Sequence, residues 1–394
     1  VPIVFMAQED MGLFKSDLQK ADLIVDAMFG FGLNSPVRGL AKNLIDEINT
    51  LVDTDVIAID IPTGLNPDNG IPYGSVIQAT KTVTLTAIKQ AFLNEECHQY
   101  TGEIAIELLR VKDLRKDQKL ARLVSPAWIK RHLKQRDYYG YKGVYGKVLH
   151  ITGCNHYRGA ALMAAKASVY TGSGIVCVNS TEKVIDGLTV FVPESTSMLR
   201  NDKLDHEMFD DYNAILIGSG LGLNEQSEQY VIDVLTNATC PVIIDGDGLT
   251  ILARHLELLK ETKAKVILTP HAGEFKRLCN YYDELDMIEK ATQFALEYQV
   301  VVVLKGPNTL ITNGTNIYRN ITANKAMATA GMGDVLAGII TSFAGQGYDV
   351  KDAAILGTYI HGACGDILGD DVYTVIPSEM IKLIPKVMLD VINE

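Results

Sequence analysis

The chain has 394 residues, 47% of them hydrophobic and 21% charged, which suits globular protein but exceeds what one compact core holds, so two domains are expected. A formal net charge of −12 argues against sequence-independent nucleic-acid binding, which needs an excess of Lys and Arg. The longest apolar runs, such as 300–304, are strand-sized and predict no membrane span.

The six cysteines lie far apart, so zinc-type and redox-type spacings are absent. They read as buried thiols in a reducing compartment. With no signal-like segment after Val1, a cytoplasmic location is expected.

In chain order, 22–29 (DLIVDAMF) is a continuous apolar run closing on Gly30 and Gly32, which predicts a buried strand feeding a glycine turn. Residues 40–51 carry apolar side chains at helical spacing. Another buried strand is predicted at 55–61, stopped by Pro62 and Gly64, with further strands at 81–87 and 103–109. Strand, helix and strand joined by short loops imply a parallel sheet with helices on its faces. The charged stretch 111–123 reads as a linker between a first domain at 1–110 and a second at 124–394.

The alternation then restarts. Strands are predicted at 147–152, 175–179, 214–218, 242–245, 266–269 and 300–304, and helices at 160–170, 225–236 and 287–298. Residues 310–312 and 316–319 flank Asn313-Gly314, a hairpin signature. Helices at 333–344, 352–368 and 378–392 close the chain. The expected fold class is α/β.

Most glycine- and acid-rich loops of the second domain directly follow predicted strands. Ligands of open α/β sheets bind at those carboxyl ends, so the loops are expected to meet in one crevice. The strongest loop is 330–338 (AGMGDVLAG). Its glycines allow close backbone approach at a helix start, where amide groups face an anion. Asp334 in the first turn can take a proton from a hydroxyl attacking a phosphoryl group, and equally suits a plain helix cap. Lys305-Gly306-Pro307-Asn308-Thr309 offers a lysine, backbone access and a hydroxyl to phosphates, or forms an ordinary Gly-Pro turn. His271, between Pro270 and Gly273, suits a ligand contact or a helix cap. Gly218-Ser219-Gly220-Leu221-Gly222 lacks the spacing of a full dinucleotide loop but admits close backbone approach. Asp245 and Asp247, two apart after a strand, suit magnesium, ribose hydroxyls or capping; calcium-loop spacing fails.

Taken together and in this order, these motifs resemble the ADP/ATP-dependent NAD(P)H-hydrate dehydratase family, a branch of the ribokinase-like fold, over residues 124–394. The resemblance implies a doubly wound sheet and a lyase that removes water from hydrated NADH or NADPH, using ADP or ATP with Mg2+. It implies that Lys305, Gly306, Pro307, Asn308, Thr309 and Gly333 hold the nucleotide. Ala160, Gly220, His271 and Asp334 would contact the hydrated cofactor, with Asp334 the catalytic base. Met332 stands where the family usually has Ser or Thr, Cys154 where a second Gly is usual, and Gly246 replaces a common Ala.

The first domain resembles the Rossmann-like NAD(P)H-hydrate epimerase family through 26–33 (DAMFGFGL), Arg38-Gly39 and 60–65 (DIPTGL). That resemblance implies that Asp26 and Thr63 hold K+. It assigns Gly30, Phe31, Gly32, Leu33, Asn34, Ser35, Pro36 and Asp60 to the substrate. Only Val1–Ala21 precede the strand here, where the family carries about as much chain again, so a partial domain without full epimerase activity is expected. A homo-oligomer with no membrane or nucleic-acid partner is also expected. Two rivals stand: a ribokinase-like small-molecule kinase of a vitamin-precursor alcohol, and a non-catalytic nucleotide-binding protein.

Overall fold

A computed structural model of the chain describes residues 11–107, 109, 121–201, 204, 206–279 and 285–393. The chain forms two compact units, residues 1–116 and 117–394. Most of the predicted linker, 111–120, lies outside the described residues.

In the first unit, β1 (Leu23–Asp26), β2 (Asp55–Ile59), β3 (Lys81–Leu85) and β4 (Glu103–Glu107) form an all-parallel sheet in that order. The helix Gly39–Ile48 buries Ile45 and Ile48 against Ile24, Val56 and Ala58. The expectation of a fully buried first strand is not met: Leu23 and Val25 are 48% and 56% exposed. β1 is an edge strand whose core contacts come from one face, so its side chains alternate in and out despite the unbroken apolar sequence.

Among the described residues the second unit is built on ten strands. These are β5 (Arg122–Leu123), β6 (Lys147–Ile151), β7 (Ile175–Ser180), β8 (Thr196–Leu199), β9 (Ala214–Ile217), β10 (Val242–Ile244), β11 (Val266–Leu268), β12 (Val301–Leu304), β13 (Leu310–Thr312) and β14 (Ile317–Arg319). Their spatial order is β5-β14-β13-β12-β11-β10-β9-β6-β7-β8. Pairing is parallel except at β12–β13 and β13–β14. β13 and β14 are the predicted hairpin, and the Asn313 side chain accepts from the amides of Thr315 and Asn316 to close it.

The period of two sorts the central strands onto two cores. Leu216 of β9, Ile243 of β10 and Val303 of β12 face the helices Arg158–Thr171, Met332–Gly345, Val350–Gly369 and Pro377–Asn393. Ile215, Ile217, Ile244 and Val302 face the helices Glu225–Asn237, Ala272–Leu278 and Met287–Tyr298. Helices on both faces explain why these strands read as unbroken apolar runs.

The helix Met332–Gly345 is buried along nearly all its length, and its approach to Arg158–Thr171 depends on a glycine. A Cβ at Gly338 would lie 2.3 Å from the Ala164 carbonyl oxygen. Gly338→Ala is expected to push the two helices apart and destabilise the fold by about 1–3 kcal/mol, read as a lower denaturation midpoint.

Candidate active site

The carboxyl ends of β9, β10, β11 and β12 are adjacent, and the loops that leave them supply the polar side chains of one cluster. Ser219 follows β9, Asp245 follows β10, Thr269 and His271 follow β11, and Lys305 follows β12. Asp334 enters from the first turn of Met332–Gly345, whose start is fixed by Gly331 at φ 99°. There Met163 and Pro377 leave no room for a side chain.

Lys305 is the cation of the cluster. Its Nζ donates to Asp245 Oδ1 at 2.9 Å and lies 3.7 Å from Glu274 Oε2. Burial alone would pull its pKa down, but the carboxylates of Asp245, Glu274 and Asp334 outweigh burial and hold it above the usual lysine value. Gly333 sits beside it, where a Cβ would be 3.2 Å from Nζ.

Asp334 is pushed up to about 7, first by burial and then by the charge of Asp245. Lys305 and the neighbouring Ser219 hydroxyl pull the other way, and Asp247 adds a smaller upward push. A carboxyl half-protonated near neutral pH, beside a lysine at a helix start, can take and give a proton.

His271 caps the helix Ala272–Leu278. Its Nδ1 accepts from the amides of Gly273 (3.0 Å) and Glu274 (3.3 Å), while Glu274 Oε2 accepts from the His271 amide (2.8 Å). Because Nδ1 accepts, the neutral ring carries its proton on Nε2. That edge lies 3.6 Å from Glu274 Oε1, on a side chain 57% exposed, and can turn to donate to a ligand. The two readings left open for this residue are therefore compatible: it is a cap whose other edge faces outward.

Gly220 and Ala160 meet. A Cβ on Gly220 would lie 2.8 Å from that of Ala160 and 2.8 Å from that of Tyr157. Asp247 Oδ2 accepts from the Gly222 amide at 2.8 Å, which fixes the same loop. Met332 packs into the core with Met163 and Leu336 partners, so its side chain is not in the crevice; its carbonyl accepts from His361 Nε2 at 3.0 Å.

The nucleotide-loop residues divide. Lys305 and Gly333 join the cluster and Pro307 is exposed, whereas Asn308 and Thr309 are buried. The Thr309 hydroxyl donates to the Gly306 carbonyl at 2.9 Å, so it braces its own turn. Two residues that sequence reasoning did not single out, Ser219 and Thr269, are buried in the site, and only their place after apolar strands could have signalled them.

In the first unit, Thr63 Oγ1 donates to Asp26 Oδ1 (2.6 Å) and its amide to Asp26 Oδ2 (2.7 Å). The Phe29 carbonyl lies 3.3 Å from the same hydroxyl. Asp60 directly follows β2 at φ 69°, and its Oδ1 accepts from the Leu85 amide at 2.9 Å. Lys89 Nζ pairs with it at 2.5 Å and lies 5.3 Å from the Phe31 ring, a partner the sequence gave no reason to choose. Gly30 and Gly32 have open space around them, and Phe31, Asn34, Ser35 and Pro36 are exposed while Leu33 is partly covered.

A ten-stranded, largely parallel sheet with a lysine, an elevated aspartate and a helix N-terminus at its carboxyl edge defines a ribokinase-like enzyme domain. Residues 148–386 match the family described as NAD(P)H-hydrate dehydratase, and residues 3–91 match that described as YjeF-related protein N-terminus. The chain belongs to the NAD(P)H-hydrate dehydratase family and is a lyase of that class. It is 36% identical over 368 residues to the bifunctional NAD(P)H-hydrate repair enzyme of Moorella thermoacetica, covering 88% of this chain and 68% of that one. To the enzyme of the same name from Escherichia coli it is 33% identical over 357 residues, covering 89% and 68%. The ADP/ATP-dependent NAD(P)H-hydrate dehydratase of Bacillus subtilis, co-crystallised with ATP and Mg2+, superimposes with a TM-score of 0.62 at 31% identity, covering 69% of this chain and 99% of that one. A ribokinase-like protein of Enterococcus faecalis gives a TM-score of 0.64 at 27% identity, covering 72% and 100%.

Among the described residues no helix is long and apolar enough to cross a membrane.

Proposed function

We propose that the second unit dehydrates hydrated NADH and NADPH with ADP or ATP as phosphoryl donor, and that Asp334 is the base. The observation that carries this reading is the carboxyl of Asp334, raised to about 7 at a helix N-terminus beside Lys305. Asp334 takes the proton of the ring hydroxyl as the terminal phosphoryl group moves onto that oxygen. Phosphate then leaves, driven by the ring nitrogen's lone pair, and loss of a proton from the neighbouring ring carbon restores the double bond. The protein's share is positioning and charge stabilisation. Lys305 and the amides around Gly333 face the transferring phosphoryl group, and His271 Nε2–H, Gly220 and Ala160 hold the hydrated cofactor.

Among the described residues no three His, Cys, Asp or Glu side chains form an ion cage. Mg2+ needs no such cage, since it is commonly held by substrate phosphates with one or two carboxylates. Asp247, which faces Asp334, is the carboxylate that would hold it. When bound, it neutralises charge on the phosphates.

For the first unit the reading is narrower, a cleft of epimerase type. The closeness of oxygens from Asp26, Thr63 and the Phe29 carbonyl supports a K+ site there, and Asp60 with Lys89 offers a proton-exchanging pair.

The test incubates the full chain with hydrated NADH and either ADP or ATP and follows absorbance at the NADH band. Recovery with at least one nucleotide, and none without, is expected. No recovery with either overturns the proposal and leaves the small-molecule kinase as the reading to examine.

A further inference from the structure

Asp245 is buried, 3% exposed, and its carboxylate is held by side chains from three other loops. Ser219 Oγ donates to Oδ2 at 3.0 Å, Thr269 Oγ1 to Oδ1 at 2.7 Å and Lys305 Nζ to Oδ1 at 2.9 Å. One carboxylate thus ties together the carboxyl ends of β9, β10, β11 and β12. Ser219 also lies beside Asp334 and helps hold its pKa down, so the chain of neighbours runs from the lysine through Asp245 to the base.

We propose that Asp245 is a positioning residue of the dehydration reaction, holding Lys305 toward the nucleotide phosphates and fixing the Ser219 hydroxyl beside Asp334. The proposal rests on the reading of Asp334 as base and Lys305 as phosphate partner. It assigns to Asp245 neither magnesium nor ribose: its oxygens are already committed to Ser219, Thr269 and Lys305.

The arrangement has an electrostatic consequence. The charged groups facing Asp334 are Asp245 from the end of β10, Asp247 from the short helix Asp247–Leu252 and Lys305 from the end of β12, while Glu274 faces Lys305. Neutralising Asp245 removes a repulsion from Asp334 and leaves the attraction of Lys305 in place. That loss of repulsion makes Asp334 easier to deprotonate.

The experiment uses the full chain and Asp245→Asn, a near-isosteric change whose oxygen still accepts from Thr269 and Lys305 and whose amide meets Ser219. ADP binding is measured by calorimetry, and kcat/KM for hydrated NADH is measured from pH 5.5 to 8.5, a window of about 1.5 units either side of the Asp334 value. Weaker ADP binding by about tenfold is expected. The acid limb should move to lower pH, raising the ratio of kcat/KM at pH 6 to that at pH 8 by about three- to tenfold. Thr269→Val removes one hydrogen bond but no charge, so it should weaken ADP binding by about two- to fivefold and leave the acid limb in place.

An Asp245→Asn enzyme with a uniformly lower kcat, unchanged ADP binding and an unmoved acid limb would overturn the proposal in favour of a purely structural role. If that variant fails to fold, Thr269→Val decides, and unchanged ADP binding there overturns it too. Asp334→Asn separates the two readings. An active Asp334→Asn enzyme defeats the assignment of the base, whereas an inactive one beside an unaffected Asp245→Asn enzyme defeats only the positioning role.

Discussion

Asp334→Asn is expected to lower kcat for nucleotide-dependent dehydration by about two to four orders of magnitude while leaving the fold and ADP binding nearly intact. Asn keeps the shape of the side chain, so the loss is that of the proton acceptor. The pH profile supplies the sign. A base works deprotonated, and Asp334 is raised to about 7 by burial first and by Asp245 second. Wild-type kcat/KM should therefore rise with pH up to about 7 and level off above it, falling about tenfold per unit on the acid side. Residual activity of the Asn variant should lack that limb. A wild-type limb near the ordinary carboxylate range would mean that the buried setting does not tune this residue.

Lys305→Met is expected to act on binding and on stability together. Losing a charged hydrogen bond to phosphate should raise the nucleotide KM by about ten- to a hundredfold. The same change leaves Asp245 buried without its cation, and breaking a buried pair from one side costs about 3–5 kcal/mol. Lys305→Met combined with Asp245→Asn should then recover much of the lost stability but none of the nucleotide affinity. Denaturation midpoints and ADP titrations on the two single variants and the double variant measure this directly. A double variant no more stable than Lys305→Met would show that the two side chains are not coupled.

The layered α/β architecture was legible because β9 to β12 sit between two helical layers, and burial on both faces leaves an unbroken apolar run in each. The same signal misled at β1, where an equally apolar run belongs to an edge strand with Leu23 and Val25 exposed. β8 was missed because Thr196-Ser197-Met198-Leu199 is another edge strand, mostly exposed, with no apolar periodicity to find. Of the site, the residues beside glycines were legible, since a Gly-rich turn after a strand marks a place where backbone must approach something. Lys305, His271 and Asp334 were reached that way, and their loops do converge.

The bracing side chains were not legible. The partners of Asp245 lie 26, 24 and 60 residues away, so no local pattern joins them. Thr309 shows the opposite case: a hydroxyl in a promising loop turns out to close that loop on itself. Lys89 is a third instance, since its pairing with Asp60 depends on how β2 and β3 end side by side.

The most direct test of the central claim is a paired measurement on the full chain, of NADH formed and inorganic phosphate released, with hydrated NADH as substrate and ADP or ATP as donor. Phosphoryl transfer to the ring hydroxyl followed by elimination predicts equal amounts of the two products, no phosphate release when the hydrated cofactor is left out, and loss of both products in Asp334→Asn. Phosphate released without NADH, or a stable phosphorylated small molecule accumulating in place of both, would contradict it.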